Sequence, residues 1–340
     1  MSSAATLGTL PEWDLSDLYD GPADPRIEQD MAAAISEARS FEADLKGRVG
    51  NLKGAEFAAA IVRYEAMEDA MGRVASYAQL LFAGDQSDSE KGRFYQGVQE
   101  QLTDATSHLI FLSLEINRIE DHVMEGLVRD PVVARYRPWL NEVRSFRPHQ
   151  LSDDAEAMLH ELSVVQSQPW VRLFDQTIAG LRFEIDGETL TEAQALDLLS
   201  SSDPAKREAS ARELARVFKA NESLFALITN TLAKSKSIED GWRHFARPIS
   251  SRNLANQVED EVVEALIDAV QKSYPSLSHR YYALKARWMG VGKLDWWDRN
   301  APLPNDDDRQ IPWDEARATV LGAYGDFAPQ MAEIAGVFFD

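Results

Sequence analysis

The residues best suited to metal or acid–base chemistry in this sequence are its six histidines, and their spacing forms no local site. They are His108, His122, His149, His160, His244 and His279. Zinc helices carry two histidines one turn apart, with a glutamate between them, in the pattern H-E-x-x-H. His160 and Glu161 begin such a pattern, but Val164 stands where the second ligand is needed. Cysteine is absent, so thiolate ligands and nucleophiles are excluded.

Other chemical motifs are lacking as well. Asp306, Asp307 and Asp308 form an acidic run without the alternating spacing and the glycine of a calcium loop, so we expect a solvated loop there. No G-x-S-x-G elbow, P-loop or G-x-G-x-x-G turn occurs. The sequence therefore predicts no catalytic residue and no metal ligand in these 340 residues, and it does not identify the substrate-binding residues.

One basic segment interrupts the acidic background. Trp242 to Arg247 reads Trp-Arg-His-Phe-Ala-Arg, and Arg252 and Asn253 follow it. Arginines bind carboxylates bidentately and stack on rings, so the segment is a candidate site for an anionic ligand. In the alternative interpretation these arginines pair with Asp and Glu side chains and fasten two helices together. We favour this structural interpretation, because most paired charges in proteins are structural.

Acidic residues dominate the composition, and 56 of them against 35 Lys and Arg give a net charge of −21. We interpret this charge first as a source of solubility, and second as an acidic cavity for cationic ligands. Such a field disfavours nucleic acid and anionic membranes as partners. The N-terminus lacks the features of a secretory signal, and no apolar run approaches the ~20 residues that cross a bilayer. Together with the absence of cysteine, this predicts a cytoplasmic protein.

Helical periodicity dominates the first half of the chain. Three stripes of apolar residues, each with steps of three and four, predict three long amphipathic helices. They run from Met31 to Leu45, from Phe57 to Leu81 and from Phe94 to Leu127, and Pro131 should end the third. Because these helices must bury their stripes against one another, we predict an antiparallel long-helix bundle and a mainly α fold.

The pattern changes near residue 180. Leu181 to Leu190 alternates apolar and polar residues across Asp186-Gly187, which predicts a β-hairpin with a type I′ turn. Thr191 should begin a short helix, and Asp203-Pro204 a long one whose stripe continues to Leu232. Further helices are predicted at 259–270, at 275–289 and from 313 onward, with a loop at 300–308. We therefore predict two domains, residues 1–178 and residues 179–340.

Aromatic residues are concentrated toward the end of the chain. We expect one cluster to belong to the core rather than to a ligand platform: Tyr281, Tyr282, Trp288, Trp296 and Trp297. The last residues, Phe338-Phe339-Asp340, are unusually apolar for a terminus. Either these rings dock into the core, or the natural chain continues past Asp340.

Several segments together resemble the oligoendopeptidase F family of zinc oligopeptidases. The opening segment from Leu10 to Tyr19 (LPEWDLSDLY) is similar to the family's tryptophan-bearing start, and Ser202 to Ala211 (SDPAKREASA) is similar to the start of its peptidase domain. Later segments resemble the family's run toward its active site: Arg252-Asn253, Glu259 to Ala269, Arg280 to Lys285, Gly290, Leu294, and Asp298 to Leu303. The set covers essentially the whole chain in the family's order.

This resemblance implies a helical clam-shell peptidase that encloses short peptides in a deep channel. In that family one helix carries H-E-x-x-H, and a glutamate on a following helix completes the zinc site; the motif's own glutamate is general base to the metal-bound water. The present chain ends before that motif, so no zinc ligand and no catalytic base carries over. What remains corresponds to an N-terminal domain (residues 1–178) and the first part of a peptidase domain with a small β-hairpin (residues 179–340).

Two classes of function follow from these observations. In the first, the chain is the N-terminal and channel-wall portion of a zinc metalloendopeptidase that hydrolyses short peptides, with zinc in the full-length enzyme and none bound by this chain, which is inactive alone. In the second, the chain is a non-enzymatic helical binding or scaffold protein. A weaker third possibility is a regulatory adaptor that uses its acidic surface. Peptide specificity and oligomeric state cannot be inferred from the sequence.

Overall fold

The computed structural model describes residues 14–303 and 309–339, and these residues are mostly helical. The helices before the hairpin are α1 (Pro25–Leu45), α2 (Gly54–Gly84), α3 (Ser89–Ser107), α4 (Phe111–Arg118), α5 (Asp121–Leu127), α6 (Pro131–Ala134), α7 (Arg137–Ser145), α8 (Asp153–Gln166) and α9 (Gln168–Gly180). After strands β1 (Phe183–Ile185) and β2 (Glu188–Leu190) come α10 (Glu192–Asp197), α11 (Pro204–Ala220), α12 (Glu222–Trp242), α13 (Ser250–Ala255), α14 (Asp260–Ser273), α15 (Ser278–Trp288), α16 (Trp313–Phe327) and α17 (Pro329–Phe339). The predicted mainly α fold with one small hairpin is confirmed.

The first half buries its apolar stripes in one large core. Helices α1, α2 and α3 pack on one another, and α6 packs on α2. Phe41 and Phe57, both fully buried, lie in this core, and Arg63 extends its guanidinium over the ring of Phe41 at 5.3 Å. Local signals define the helix starts: Asp24 accepts a hydrogen bond from the backbone N–H of Arg26, and Pro25 occupies the first turn of α1. The buried residues of this core lie between positions 34 and 140, and partly buried apolar side chains pack against them.

The third predicted long helix is wrong as one element, because it is divided into α3, α4 and α5. The hydroxyls of Thr103, Thr106 and Ser107 donate to carbonyls one turn back, which weakens the end of α3 before a turn at residues 108–110. Ile119 then leaves helical geometry with φ −61° and ψ 127°. The apolar stripe continues across both breaks because each short helix still faces the same core, so its periodicity did not reveal them.

The hairpin forms as predicted and anchors a second, smaller core. Phe183 pairs with Leu190 and Ile185 with Glu188, and the turn residues Asp186 and Gly187 have φ of 53° and 84°, as a type I′ turn requires. A separate buried cluster joins the hairpin to α10 and α11: Phe183, Ile185, Ala195, Leu214 and Val217. Thr191 begins α10 in a capping box with Gln194.

The long helix predicted from Pro204 to Leu232 is two helices. Asp203 caps α11 as expected, but Asn221 (φ −102°, ψ 6°) separates α11 from α12, and its side-chain amide donates to the carbonyl of Val217. An asparagine closes a helix end readily because its side chain replaces the missing backbone partner. The helix expected from Pro275 likewise begins later, at Ser278, after a turn in which the His279 N–H bonds to the carbonyl of Tyr274.

By its contacts the chain divides into two compact units. The larger spans Leu18–Ala301, and the smaller includes α16 and α17, which pack against each other. Within the smaller unit, the rings of Trp313 and Phe339 meet edge to face at 5.8 Å, whereas Phe338 is exposed. The predicted domain boundary after residue 178 falls in the last turn of α9, and it stays a prediction.

Helix α14 carries an apolar stripe that faces solvent. Val262, Leu266 and Val270 follow one another at steps of four residues, and each is about half exposed or more. Ile267 beside them is also half exposed. Across the part of the chain that the structure describes, no helix has the length and apolar character needed to cross a membrane.

Candidate functional site

The six histidines do not come together as a ligand set in the described residues. His108 Nδ1 lies 2.6 Å from a carboxylate oxygen of Glu42. Burial of the Glu42 carboxyl opposes its ionisation, but hydrogen bonds from Lys46 and His108 outweigh burial and hold its pKa below the ordinary value. Within residues 14–303 and 309–339, no group of three His, Asp or Glu side chains is placed to hold a metal ion. The acidic run at residues 306–308 lies outside the described residues.

His160 makes the one histidine–hydroxyl contact in these residues that could suggest nucleophile activation, and its geometry argues against that role. Its Nε2 lies 2.8 Å from Oγ1 of Thr106, and that hydroxyl donates to the carbonyl of Leu102 at 2.8 Å. The hydroxyl proton is therefore directed away from the ring, and His160 acts as the donor. Burial lowers the pKa of His160, which favours the neutral ring at pH 7.

Arg243 is the centre of the basic segment, and all three nitrogens of its guanidinium donate hydrogen bonds. It binds Glu156 bidentately, with Nη1 and Nη2 at 2.7 and 2.9 Å from the two carboxylate oxygens, and Nε donates to Glu239 at 2.7 Å. Nη1 also donates to the backbone carbonyl of His149, while Nδ1 of His149 donates to the backbone carbonyl of Arg243. The His149 ring stacks on Phe245 with a centroid distance of 3.9 Å. We call these five residues the Arg243 clasp.

The clasp has a clear electrostatic signature. The hydrogen bonds that Arg243 donates to the Glu156 carboxylate raise the pKa of Arg243 above its already high value. Burial of the Glu156 carboxyl favours its neutral form, yet the hydrogen bonds from Arg243 prevail and lower the pKa of Glu156. Both partners are therefore charged at pH 7, and the pair joins the start of α8 to the end of α12.

The remaining residues of the basic segment also pair with acids. Arg247 binds Asp260 at 2.6 Å and Glu264 at 2.5 Å, and Asn253 donates to Asp260 at 2.7 Å. These contacts tie the segment to the first turns of α14. The structural interpretation of Arg243 and Arg247 is confirmed, while Arg252 is exposed.

A polar cavity of about 570 Å³ adjoins the clasp, between α4, α8 and α12. Its wall includes Ser113, His160, Ser163 and Lys236 together with the clasp residues Glu156, Glu239 and Arg243. Lys236 is paired with Asp240 at 2.6 Å, so the charges of this wall are largely compensated. The cavity can accept a polar ligand or ordered water, but its described side chains do not form a nucleophile–base pair.

The expectation that the late aromatic cluster belongs to the core is wrong for four of its five members. Tyr281, Tyr282, Trp288 and Trp296 are 37–60% exposed. The physical reason is that α15 buries a different face: Lys285 is 2% exposed, and its ammonium donates to the carbonyls of Arg299 and Ala301 at 2.8 and 2.5 Å. Trp297 is partly buried beneath the guanidinium of Arg212 at 5.7 Å.

The sequence of the chain is similar to known oligopeptidases. A family model described as "Oligopeptidase F" matches residues 115–183. Oligopeptidase PepF of Bacillus subtilis (strain 168) is 25% identical over 337 residues, which is 95% of this chain and 48% of that protein. Group B oligopeptidase PepB of Streptococcus agalactiae serotype III (strain NEM316) is 25% identical over 216 residues, which is 61% of this chain and 36% of that protein.

The fold agrees with solved structures. Oligoendopeptidase-F from Enterococcus faecium superposes with a TM-score of 0.74 at 21% identity, covering 92% of this chain and 65% of that one. A putative oligoendopeptidase F from Bacillus anthracis str. Ames superposes with a TM-score of 0.63 at 14% identity, covering 96% of this chain and 55% of that one. The chain spans about half the length of the curated PepF relative that it matches. The predicted resemblance to the oligoendopeptidase F family is therefore confirmed for this chain.

Proposed function

We propose that this chain is the N-terminal and channel-wall portion of a zinc-dependent oligoendopeptidase that hydrolyses short peptides, with its catalytic centre outside these 340 residues. The observation that carries the proposal is the fold match over 92% of the chain to 65% of an oligoendopeptidase-F structure. The chain alone is inactive, and the location we propose is the cytoplasm.

We propose that the zinc belongs to the full-length enzyme and is not bound by this chain. Zinc in a catalytic site needs three protein ligands that converge on one position. The described histidines are separated instead: His108 contacts Glu42, His160 contacts Thr106, and His149 belongs to the clasp. The residues that the structure describes therefore do not fit the metal, and we derive no catalytic step through it.

We also propose two domains, residues 1–178 and 179–340. The two separate cores support this division, since one gathers residues 34–140 and the other gathers the hairpin with α10 and α11. Contacts nevertheless group Leu18–Ala301 as one compact unit, so residues 18–178 and 179–301 pack together within it.

The function is tested by hydrolysis of a quenched fluorescent peptide. Two proteins are compared: the 340-residue chain, and the product of the natural reading frame followed past the codon for Asp340. Turnover by the longer protein alone, abolished by a zinc chelator and restored by zinc, supports the proposal. A stop codon directly after Asp340, or an extension without H-E-x-x-H, favours the scaffold alternative. Metal-dependent turnover by the 340-residue chain would contradict its proposed inactivity.

A further inference from the structure

A second cavity lies between α15 and the loop that follows it, and it differs in character from the polar one. Its volume is about 450 Å³, within the range of small-ligand sites. Apolar side chains form most of its wall: Tyr282, Ala283, Ala286, Leu294 and Trp296. Two cations, Lys293 and Arg299, and one carboxylate, Asp295, complete it. We call it the Trp296 pocket.

The loop that forms this pocket is held in place by buried polar contacts. Arg207, 1% exposed, donates from Nε and Nη2 to Oδ1 of Asp298 at 3.1 and 2.8 Å. The other carboxylate oxygen of Asp298 accepts the backbone N–H of Asp295 at 3.1 Å. Lys285 fixes the next residues through the carbonyls of Arg299 and Ala301. A site on such a supported loop loses little conformational freedom when a ligand binds.

The charge of the pocket is opposite to that of the whole chain. The segment from residue 278 to 301 carries five Lys and Arg and two Asp, in a chain of net charge −21. Asp298 is neutralised by Arg207, and Asp295 caps the turn at Trp296–Asp298. Within residues 14–303 and 309–339, Lys293 and Arg299 form no ion pair, and both are exposed. The pocket therefore presents two available cations beside an apolar cavity with an aromatic wall.

From this combination we infer that the Trp296 pocket binds the C-terminal residue of a peptide, with an apolar or aromatic side chain in the cavity and the α-carboxylate between Lys293 and Arg299. Aromatic side chains gain from edge or offset contact with Tyr282 and Trp296. The exposed guanidinium and ammonium in its wall suit a single carboxylate. The inference rests on the proposed function, because it specifies where that peptidase would hold the carboxyl end of its peptide ligand.

The test measures binding and not hydrolysis. Fluorescence anisotropy is recorded for dansyl-Gly-Gly-Phe as the free acid, for the same peptide as the C-terminal amide, and for dansyl-Gly-Gly-Asp, each with the 340-residue chain. We expect the Phe free acid to bind at least about tenfold more tightly than the amide, because the amide loses charge-assisted hydrogen bonds. The Asp peptide should also bind more weakly.

Variants locate the site. The double variant Lys293→Gln with Arg299→Gln should bind the Phe free acid about tenfold more weakly and should no longer prefer it to the amide. Trp296→Ala should lower the affinity for both Phe peptides, the free acid and the amide. The matched control is Arg280→Gln with Arg287→Gln, which removes two exposed cations of α15 that do not line the pocket. Circular dichroism and urea unfolding verify that each variant is folded.

Equal affinity for acid and amide, or an unchanged affinity in the Lys293 and Arg299 variant, would overturn the inference. A role in self-association would also overturn the inference. Sedimentation would then show that the chain self-associates, and the pocket variants would abolish that association without altering peptide binding. Failure here is separable from failure of the proposed function. If the longer protein cleaves peptides and a chelator abolishes that cleavage, the peptidase proposal stands and only the inference about the Trp296 pocket is wrong.

Discussion

Arg243 and His149 exchange hydrogen bonds in both directions: the guanidinium of Arg243 donates to the carbonyl of His149, and the imidazole of His149 donates to the carbonyl of Arg243. The two residues are 94 positions apart in the sequence. Each side chain thus satisfies a backbone carbonyl near the end of a helical segment, where intrahelical partners are missing. The relationship joins the turn before α8 to the C-terminal end of α12.

Replacement of this arginine should destabilise the chain. We expect Arg243→Gln to lower the free energy of unfolding by about 2 kcal/mol, because partly buried Glu156 loses its charged partner. Urea denaturation followed by circular dichroism measures the change. The control is Arg93→Gln, which removes an exposed pair with Glu90 and should change stability by less than about 0.5 kcal/mol. Similar losses in both variants would contradict the role of the clasp.

His160 should make stability depend on pH near neutrality. Burial lowers its pKa in the folded chain, so the unfolded state binds a proton more readily. Its contribution is therefore fully present above the unfolded histidine pKa of ~6.5 and is lost as the pH falls from there through the folded pKa. Unfolding free energies are compared at pH 7.5, 6.5 and 5.5 for the natural chain and for His160→Gln. The natural chain should lose more stability on acidification, and parallel curves would refute this assignment.

Gly187 is needed for the hairpin turn. Its φ of 84° is costly for a residue with a Cβ atom, so Gly187→Ala should destabilise by about 1 kcal/mol. Gly180 in the last turn of α9 is a matched control, because a Cβ there meets nothing within 4 Å and its φ is not in the left-handed range. Gly180→Ala should be neutral or slightly stabilising. The comparison uses thermal unfolding monitored by circular dichroism, and an equal loss in both variants would argue against a strained turn.

The buried pair of Arg207 and Asp298 should be far more sensitive than surface pairs. Arg207→Met leaves the carboxylate of Asp298 buried without its cation, and we expect a loss of about 3–5 kcal/mol. Adding Asp298→Asn removes that charge and should recover part of the loss. Lys219→Gln, which disrupts an exposed pair with Glu222, serves as the control. A double variant no more stable than Arg207→Met alone would contradict this account.

Limited digestion tests the proposed boundary near residue 178. Arg182 is exposed between the end of α9 and the start of β1, so trypsin should cut there early. The expected product is a stable helical fragment that ends at Arg182, identified by mass spectrometry and circular dichroism. Arg182→Gln should suppress this fragment. Uniform cleavage through α1, α2 and α3 would count against an N-terminal domain.

Local chemistry made some elements predictable and left others hidden. The Asp186-Gly187 turn and the Asp203-Pro204 helix start depend on backbone preferences of adjacent residues, which the sequence displays directly. The break at Asn221 was missed because the apolar stripe continues across it. The partners of Arg243 could not be identified either, since Glu156 lies 87 residues away and many other acids were available.

Because the apolar stripe of α14 faces solvent, two opposing forces decide whether copies of this chain associate in water: charge repulsion and apolar attraction. Like-charge repulsion between copies of net charge −21 holds them apart, while Val262, Leu266 and Val270 favour contact. The repulsion reaches over about 10 Å in 0.1 M salt but only about 3 Å in 1 M salt. Apolar attraction does not weaken in the same way, and sulfate strengthens it. We therefore expect copies of the chain to stay apart in dilute buffer and to associate as salt is added.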